Sequence, residues 1–348
     1  MHWAKTASQA RFNLASSGVA PVPLQELRFA PAALELYGEN AYGFGPLQER
    51  IARQYEVAPH NVVQAAGTSM ANHLAMASVL DSGDEVLIEQ PTYGLILDVA
   101  RYLGAEIKRF QRREENGWAL EAAAIRRSLT PRTRLVILTN LHNPTSVLAA
   151  ESVLAEIGEL AATVGAQVLV DEVYLEVVYN NRSRSAFHLG PNFLVTSSLT
   201  KGYGLSGLRC GWILAQEELT WKMRRLNDLF GSLPVHVGEL LSVAAFAQLE
   251  QLQRRARRLV DKNRELFHAF LDREAKVQAV RTEWGTTSFA CLRDGGAERF
   301  VDRLKQEFDT SVAPGRFFEM PDHFRIGFGT EHKDFAAGLE RIEQALNG

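Results

Sequence analysis

Ser197-Ser-Leu-Thr-Lys201-Gly-Tyr-Gly-Leu-Ser-Gly-Leu-Arg209-Cys-Gly211 sets one lysine between hydroxyl residues and an arginine, among four glycines. Residues 202–207 match the G-x-G-x-x-G pattern of dinucleotide folds, but that pattern must open a helix, and residues 208–215 read as a strand. The required context is absent. The stretch suits a phosphorylated aldehyde instead. A lysine amine can become a Schiff base with a carbonyl, while hydroxyls, backbone N–H groups and an arginine fork grip a phosphate on the same molecule. Taken alone, Lys201 is equally readable as a solvated surface charge, so its neighbours in the fold must decide.

Working outward, residues 60–215 alternate short apolar runs with longer stretches of helical period, the pattern of βαβ units around a largely parallel sheet. Strands are expected at 61–65, 85–89, 106–110, 134–139, 167–170, 193–196 and 211–215, with helices at 70–80, from 94 to about 103, and at 148–164. In open parallel sheets ligands sit beyond the carboxyl ends of the strands. The polar clusters fall at such ends. A long helical stretch around 239–271 and the strand-like His323-Phe-Arg-Ile-Gly-Phe328 suggest a smaller second lobe, joined by the N-terminal thirty-odd residues.

Composition sets the outer limits. The 348 residues exceed one compact domain, and 46% apolar content supports a packed core. A net charge of −3, with no long run of one sign, argues against nucleic acid or an anionic membrane as main partner. The two cysteines, Cys210 and Cys291, lie far apart without metal or disulfide spacing. The N-terminus carries Lys5, Arg11 and Asn13 where a secretory signal would be apolar, so a cytoplasmic, unexported protein is expected.

Four strand ends offer partners for Lys201. Asp171 closes the apolar run Val-Leu-Val-Asp171-Glu-Val-Tyr174, where a carboxylate needs a compensating cation or donor, such as a protonated pyridine nitrogen, unless it simply caps a helix. Tyr174 could reach the same place or pack. Asn143, in Asn140-Leu-His-Asn-Pro-Thr-Ser146, is kept from helix by Pro144 and can donate to a phenolate, or serve only the turn. Gly67-Thr68-Ser69 stands between strand and helix, where a phosphate would sit on the helix N-terminus and where plain capping is the alternative. Tyr93, in Pro91-Thr-Tyr-Gly94, could stack on a flat heteroaromatic ring or fill the core. Together these are the groups pyridoxal phosphate requires.

The order and wording of these pieces resemble the class I/II aminotransferases, fold type I pyridoxal-phosphate enzymes, over nearly the whole chain. The resemblance implies a large domain (38–250) with a mainly parallel seven-stranded sheet between helices, and a smaller α+β domain from residues 1–37 and 251–348. It implies that Lys201 holds pyridoxal 5'-phosphate as an aldimine and later acts as base, and that Ser198, Arg209, Gly67, Thr68 and Ser69 hold the phosphate. Asp171 would pair with the ring nitrogen, Asn143 and Tyr174 would face the ring hydroxyl, and Tyr93 would stack. Tyr42, in Asn40-Ala-Tyr-Gly-Phe-Gly45, is similar to the tyrosine that crosses a homodimer interface to the other subunit's phosphate. Arg325, in His323-Phe-Arg-Ile-Gly, is similar to the arginine that forks onto the substrate α-carboxylate, or else is an arginine on a sheet face making a surface pair; Asn143 would also serve the substrate, and Gly18 would lend its backbone.

The resemblance implies an amino acid and a 2-oxo acid as substrates, with β-lyase, cyclising-synthase or decarboxylating chemistry as alternatives on the same constellation. A ligand-sensing regulator on this fold would need a DNA-binding segment, for which the residues ahead of residue 38 leave no room. Ser146 stands where the Asn-Pro-Thr run of the family continues with glycine. No arginine closely precedes Ser232, where enzymes of dicarboxylic amino acids place one, which disfavours aspartate. His142 has no partner at ligand spacing and reads as a turn histidine.

Overall fold

A computed structural model describes residues 2–178 and 184–348. Seven strands form its main sheet: β1 (Val62–Ala66), β2 (Glu85–Gln90), β3 (Glu106–Gln111), β4 (Thr133–Thr139), β5 (Gln167–Asp171), β6 (Phe193–Ser198) and β7 (Cys210–Leu214). Their order across the sheet is β1-β7-β6-β5-β4-β2-β3, and β7 alone runs against its neighbours. Alternate residues pack into different cores. Leu87, Val136, Val168, Val195 and Trp212 face one side, and Val86, Leu135, Leu169, Leu194 and Ile213 the other. A strand buried on both faces must be apolar throughout, which is why these runs do not alternate with polar residues.

Helix α1 (Gly67–Val79) follows β1 directly and packs across β6 and β7 through Ala71, Leu74 and Ala75. The expected helix at 148–164 is shorter, Glu151–Ala162, because Ala150 is still extended (ψ 139) after the turn at 142–147. The expected helix at 239–271 is two, His236–Phe246 and α2 (Leu249–Arg273). Gln248 breaks it. Its side chain leaves the helical direction to accept from the Arg28 N–H (3.0 Å) and donate to the Arg28 carbonyl (2.8 Å), tying down the N-terminal segment.

A second, antiparallel sheet is built from β8 (Val277–Ala279), β9 (Thr287–Leu292), β10 (Ala313–Pro314) and β11 (His323–Gly327), in the order β10-β11-β9-β8. Its core gathers Phe267, Phe270, Phe324, Phe328 and Phe335 together with Leu14 and Val19 from the N-terminal segment, whose Phe12–Asn13 strand pairs with Thr310–Ser311. Along α2 the packing changes hands, from the main core at Leu252 to the smaller one at Ala256. Among the described residues no helix is long and apolar enough to cross a membrane.

Candidate active site

The phosphate end is a matter of backbone shape. β1 and β7 are paired with Ala66 opposite Cys210, and the chain then turns at Gly67 (φ 77°) into α1. A Cβ on Gly67 would fall 2.3 Å from Nη2 of Arg209, and one on Gly211 would fall 2.5 Å from the Gly67 carbonyl carbon. Only glycines let the two segments meet. Arg209, itself left-handed at φ 50°, donates from Nη2 to the Ala66 carbonyl at 2.9 Å, which parks the guanidinium beside the helix start. Thr68 Oγ1 donates to Ser198 Oγ at 2.8 Å, and Ser198 Oγ accepts from the Thr200 N–H at 3.2 Å. The N-terminal amides of α1, two hydroxyls and a cation gathered at one helix start fit a phosphate. Ser69 lies exposed in the same first turn.

Deeper in, Asp171 is 5% exposed and accepts from Asn72 Nδ2 (2.8 Å) and from the Val173 N–H (3.1 Å). Asn72 in turn accepts from Thr196 Oγ1 at 2.6 Å. Burial pushes the Asp171 carboxyl up to about 6, against the pull of those donors and of the Lys201 charge. A positive ring nitrogen placed there would restore its charge. Lys201 Nζ donates to Ser17 Oγ at 2.9 Å, its carbonyl accepts from the Val19 N–H at 3.0 Å, and a Cβ on Gly18 would touch its Cα and Cδ at 3.4 Å. Tyr174 is buried, and burial, then Tyr174, raises the Tyr93 phenol, which also feels Arg325 and Asp171.

Arg325 is 7% exposed, buried among the residues of the site and not on the surface. Nη1 donates to Asn143 Oδ1 at 2.9 Å and Nη2 to the Ala15 carbonyl at 3.1 Å, while the guanidinium lies 5.0 Å over the Phe318 ring. Among the described residues it forms no ion pair, and its buried Nε has no partner. A buried cation with an idle N–H is costly and fits an incoming carboxylate. Asn143 is fixed from behind. Its N–H donates to Thr139 Oγ1 (2.9 Å), which donates to Glu89 Oε1 (2.7 Å), and Glu89 is paired with Arg112 at 3.1 Å, both fully buried.

His142 serves the turn, with Nδ1 at 2.7 Å from Thr145 Oγ1 and Nε2 at 3.0 Å from the Pro91 carbonyl. Ser146 takes φ 63°, which accounts for a glycine being the easier residue here. In return its hydroxyl donates to the Thr287 carbonyl on β9 at 2.8 Å. Tyr42 stands apart from the cluster, 37% exposed, donating to Asp228 Oδ2 at 3.4 Å with its ring against the edge of Trp221.

Sequence reasoning missed Ser17, Asn72, Glu89 and Phe318. Asn72 was findable as the one amide on a helix whose flanking Ala71, Leu74 and Ala75 are apolar. Ser17 and Phe318 reach the site only through long-range folding. The lysine, the carboxylate waiting for a cation, the glycine-shaped anion cradle and the unpaired arginine together fit pyridoxal 5'-phosphate and an amino-acid carboxylate.

Comparison with known proteins agrees. The chain is 28% identical to capreomycidine synthase of Streptomyces vinaceus over 97% of its own length and 90% of that protein's. It is 23% identical to an aspartate aminotransferase of Sulfolobus acidocaldarius, covering 88% and 82% of the two chains. A pyridoxal-phosphate-dependent aminotransferase from Streptococcus suis superposes with a TM-score of 0.92 at 28% identity, over 97% of this chain and 94% of that one. A model of "Aminotransferase class I and II" matches residues 33–342, and the chain belongs to that family of pyridoxal-5'-phosphate-dependent enzymes.

Proposed function

We propose that this enzyme is an aminotransferase, moving an amino group from an amino acid to a 2-oxo acid. The observation that carries the reading is Arg325, a buried guanidinium with no anion beside it among the described residues, bonded to Asn143 in the same site as Lys201. Arg325 would take the α-carboxylate, and Asn143, braced by Thr139 and Glu89, would keep the fork at a fixed angle. Pyridoxal 5'-phosphate supplies the carbonyl that takes up the amine and a ring that stores the electrons of the broken C–H bond. Thr68, Ser198, Arg209 and the α1 amides would hold its phosphate, and Asp171, steadied by Asn72 and Thr196, would keep the ring nitrogen protonated.

Lys201 Nζ would act as the general base, taking the proton from the substrate α-carbon and giving it up on the carbon at the other side of the amino nitrogen. Ser17 Oγ keeps that amine aimed into the site. We further propose a cytoplasmic homodimer in which Tyr42 of each subunit completes the other's phosphate site. The exposed apolar side chains Leu36, Tyr37, Phe230, Leu233 and Val235 around Tyr42 support such an interface.

A second reading keeps the cofactor and changes the outcome to cyclisation or elimination. It is favoured by the similarity to capreomycidine synthase over 97% of the chain and by the Ser17 hydroxyl on Lys201, a second group able to carry a proton. Adding single amino acids to the reconstituted enzyme separates the two. Release of the matching 2-oxo acid with the cofactor left in its aminated form supports transamination. Ammonia, carbon dioxide or a cyclic amino acid as product supports the second reading.

A further inference from the structure

Away from the cofactor site, Cys291 on β9 and His323 on β11 are direct partners across the antiparallel pair, so their side chains share one face of the smaller sheet. Glu114, in the turn that follows β3 of the main sheet, reaches over them. Its Oε2 lies 3.2 Å from His323 Nε2, its Oε1 lies 3.8 Å from Cys291 Sγ, and the three ligand atoms all fall within 4.8 Å of one another. Ligands around a tetrahedral zinc ion stand roughly 3.3–3.8 Å apart. The imidazole plane is fixed by stacking on Phe289 (4.7 Å, 19°) and by the edge of Trp118 (5.7 Å). Among the described residues Nδ1 has no partner, so none of them locks the tautomer on that side. A groove of about 500 Å³ lined by Gln278, Cys291, Arg293, Asp322 and His323 opens the cluster to solvent and leaves room for a water ligand.

We propose that Glu114, Cys291 and His323 form a binding site for a thiophilic divalent transition metal such as Zn²⁺, with its fourth position open to water. Thiolate plus imidazole selects zinc or cobalt over magnesium and calcium. The ion staples the main sheet's edge turn to the smaller sheet, two residues along β11 from Arg325, and so sets the spacing of the two lobes at the strand that binds the substrate carboxylate. Neither Cys291 nor Glu114 belongs to the cofactor site, so the site stands or falls independently of the reaction assigned above.

The test titrates the metal-stripped holoenzyme with Co²⁺ and follows the near-ultraviolet thiolate-to-cobalt band. With two cysteines in the chain and Cys210 buried elsewhere, the assignment is unambiguous. The expected result is one Co²⁺ per chain with the band present in wild type and in Cys210→Ser, absent in Cys291→Ser, and binding at least ~10-fold weaker in Glu114→Gln. Zn²⁺ should displace the cobalt and raise the thermal midpoint of wild type but not of Cys291→Ser. No band in wild type, or a band that survives Cys291→Ser, overturns the proposal.

Discussion

The two ends of the active site are built in different ways. At the phosphate end the groups that the chain would give its own site lie on β6, on α1 and in the turn that leads into β7, and the shape is set by glycine backbones at Gly67 and Gly211. At the carboxylate end nothing is local. Arg325 of the smaller sheet meets Asn143 of the turn after β4, Ser17 of the N-terminal segment meets Lys201, and Ser146 meets the carbonyl and hydroxyl of Thr287. In the proposed function the permanent group would thus rest on one sheet and its following helix, and the transient one on a seam between the two lobes.

Substitutions can break that comparison. Lys201→Ala should lower turnover by ~10³-fold or more, since in the proposed function it removes both the anchoring amine and the base, while leaving the fold's thermal midpoint near wild type. Arg325→Ala loses two charge-assisted bonds, so KM for the amino acid should rise ~10²-fold or more with the cofactor still bound. Arg209→Ala should do the reverse, weakening pyridoxal 5'-phosphate by ~10- to 100-fold in equilibrium dialysis while KM for the amino acid moves only a few-fold. If both variants lost cofactor and substrate affinity alike, the division into cradle and seam would be wrong.

A smaller effect concerns pH. In the cofactor-free protein the Asp171 carboxyl titrates at about 6, above the ~4 of an unfolded aspartate. Between those values the folded chain holds a proton that the unfolded chain lacks. The group's contribution to unfolding free energy therefore falls as pH rises from ~4 to about 6, by a few kcal/mol at most, and is flat above. Urea denaturation at several pH values should show this slope in the wild type and not in Asp171→Asn. The smallest expected effect is that of Ser146→Gly. It relieves a left-handed serine but gives up the bond to Thr287, so stability should shift by less than ~1 kcal/mol.

The contrast also explains what could be read from the sequence. Elements buried on both faces, such as β4 and β5, announce themselves by unbroken apolar runs, and the groups at their carboxyl ends follow from the topology. The glycines beside Lys201 and before Thr68 are equally legible, because each answers a local demand on the backbone. Arg325 was reached only through resemblance to a family, and its bond to Asn143 was not foreseen, since 182 residues separate the two and no local pattern links them. Ser17, which lies against Lys201, carries no signal beyond its place beside Gly18. The break between the helices at 236–246 and 249–273 was missed because it rests on the backbone of one residue, Gln248 (φ −129°), whose side chain ties to Arg28, far away in sequence.

The central claim is that Lys201 is the amine that anchors the cofactor. Borohydride reduction of the enzyme reconstituted with pyridoxal 5'-phosphate, followed by digestion and mass mapping, tests it directly. The account predicts one phosphopyridoxyl group per chain on the peptide containing Lys201, and none in Lys201→Ala. Labelling of another lysine with Lys201 unmodified would contradict it.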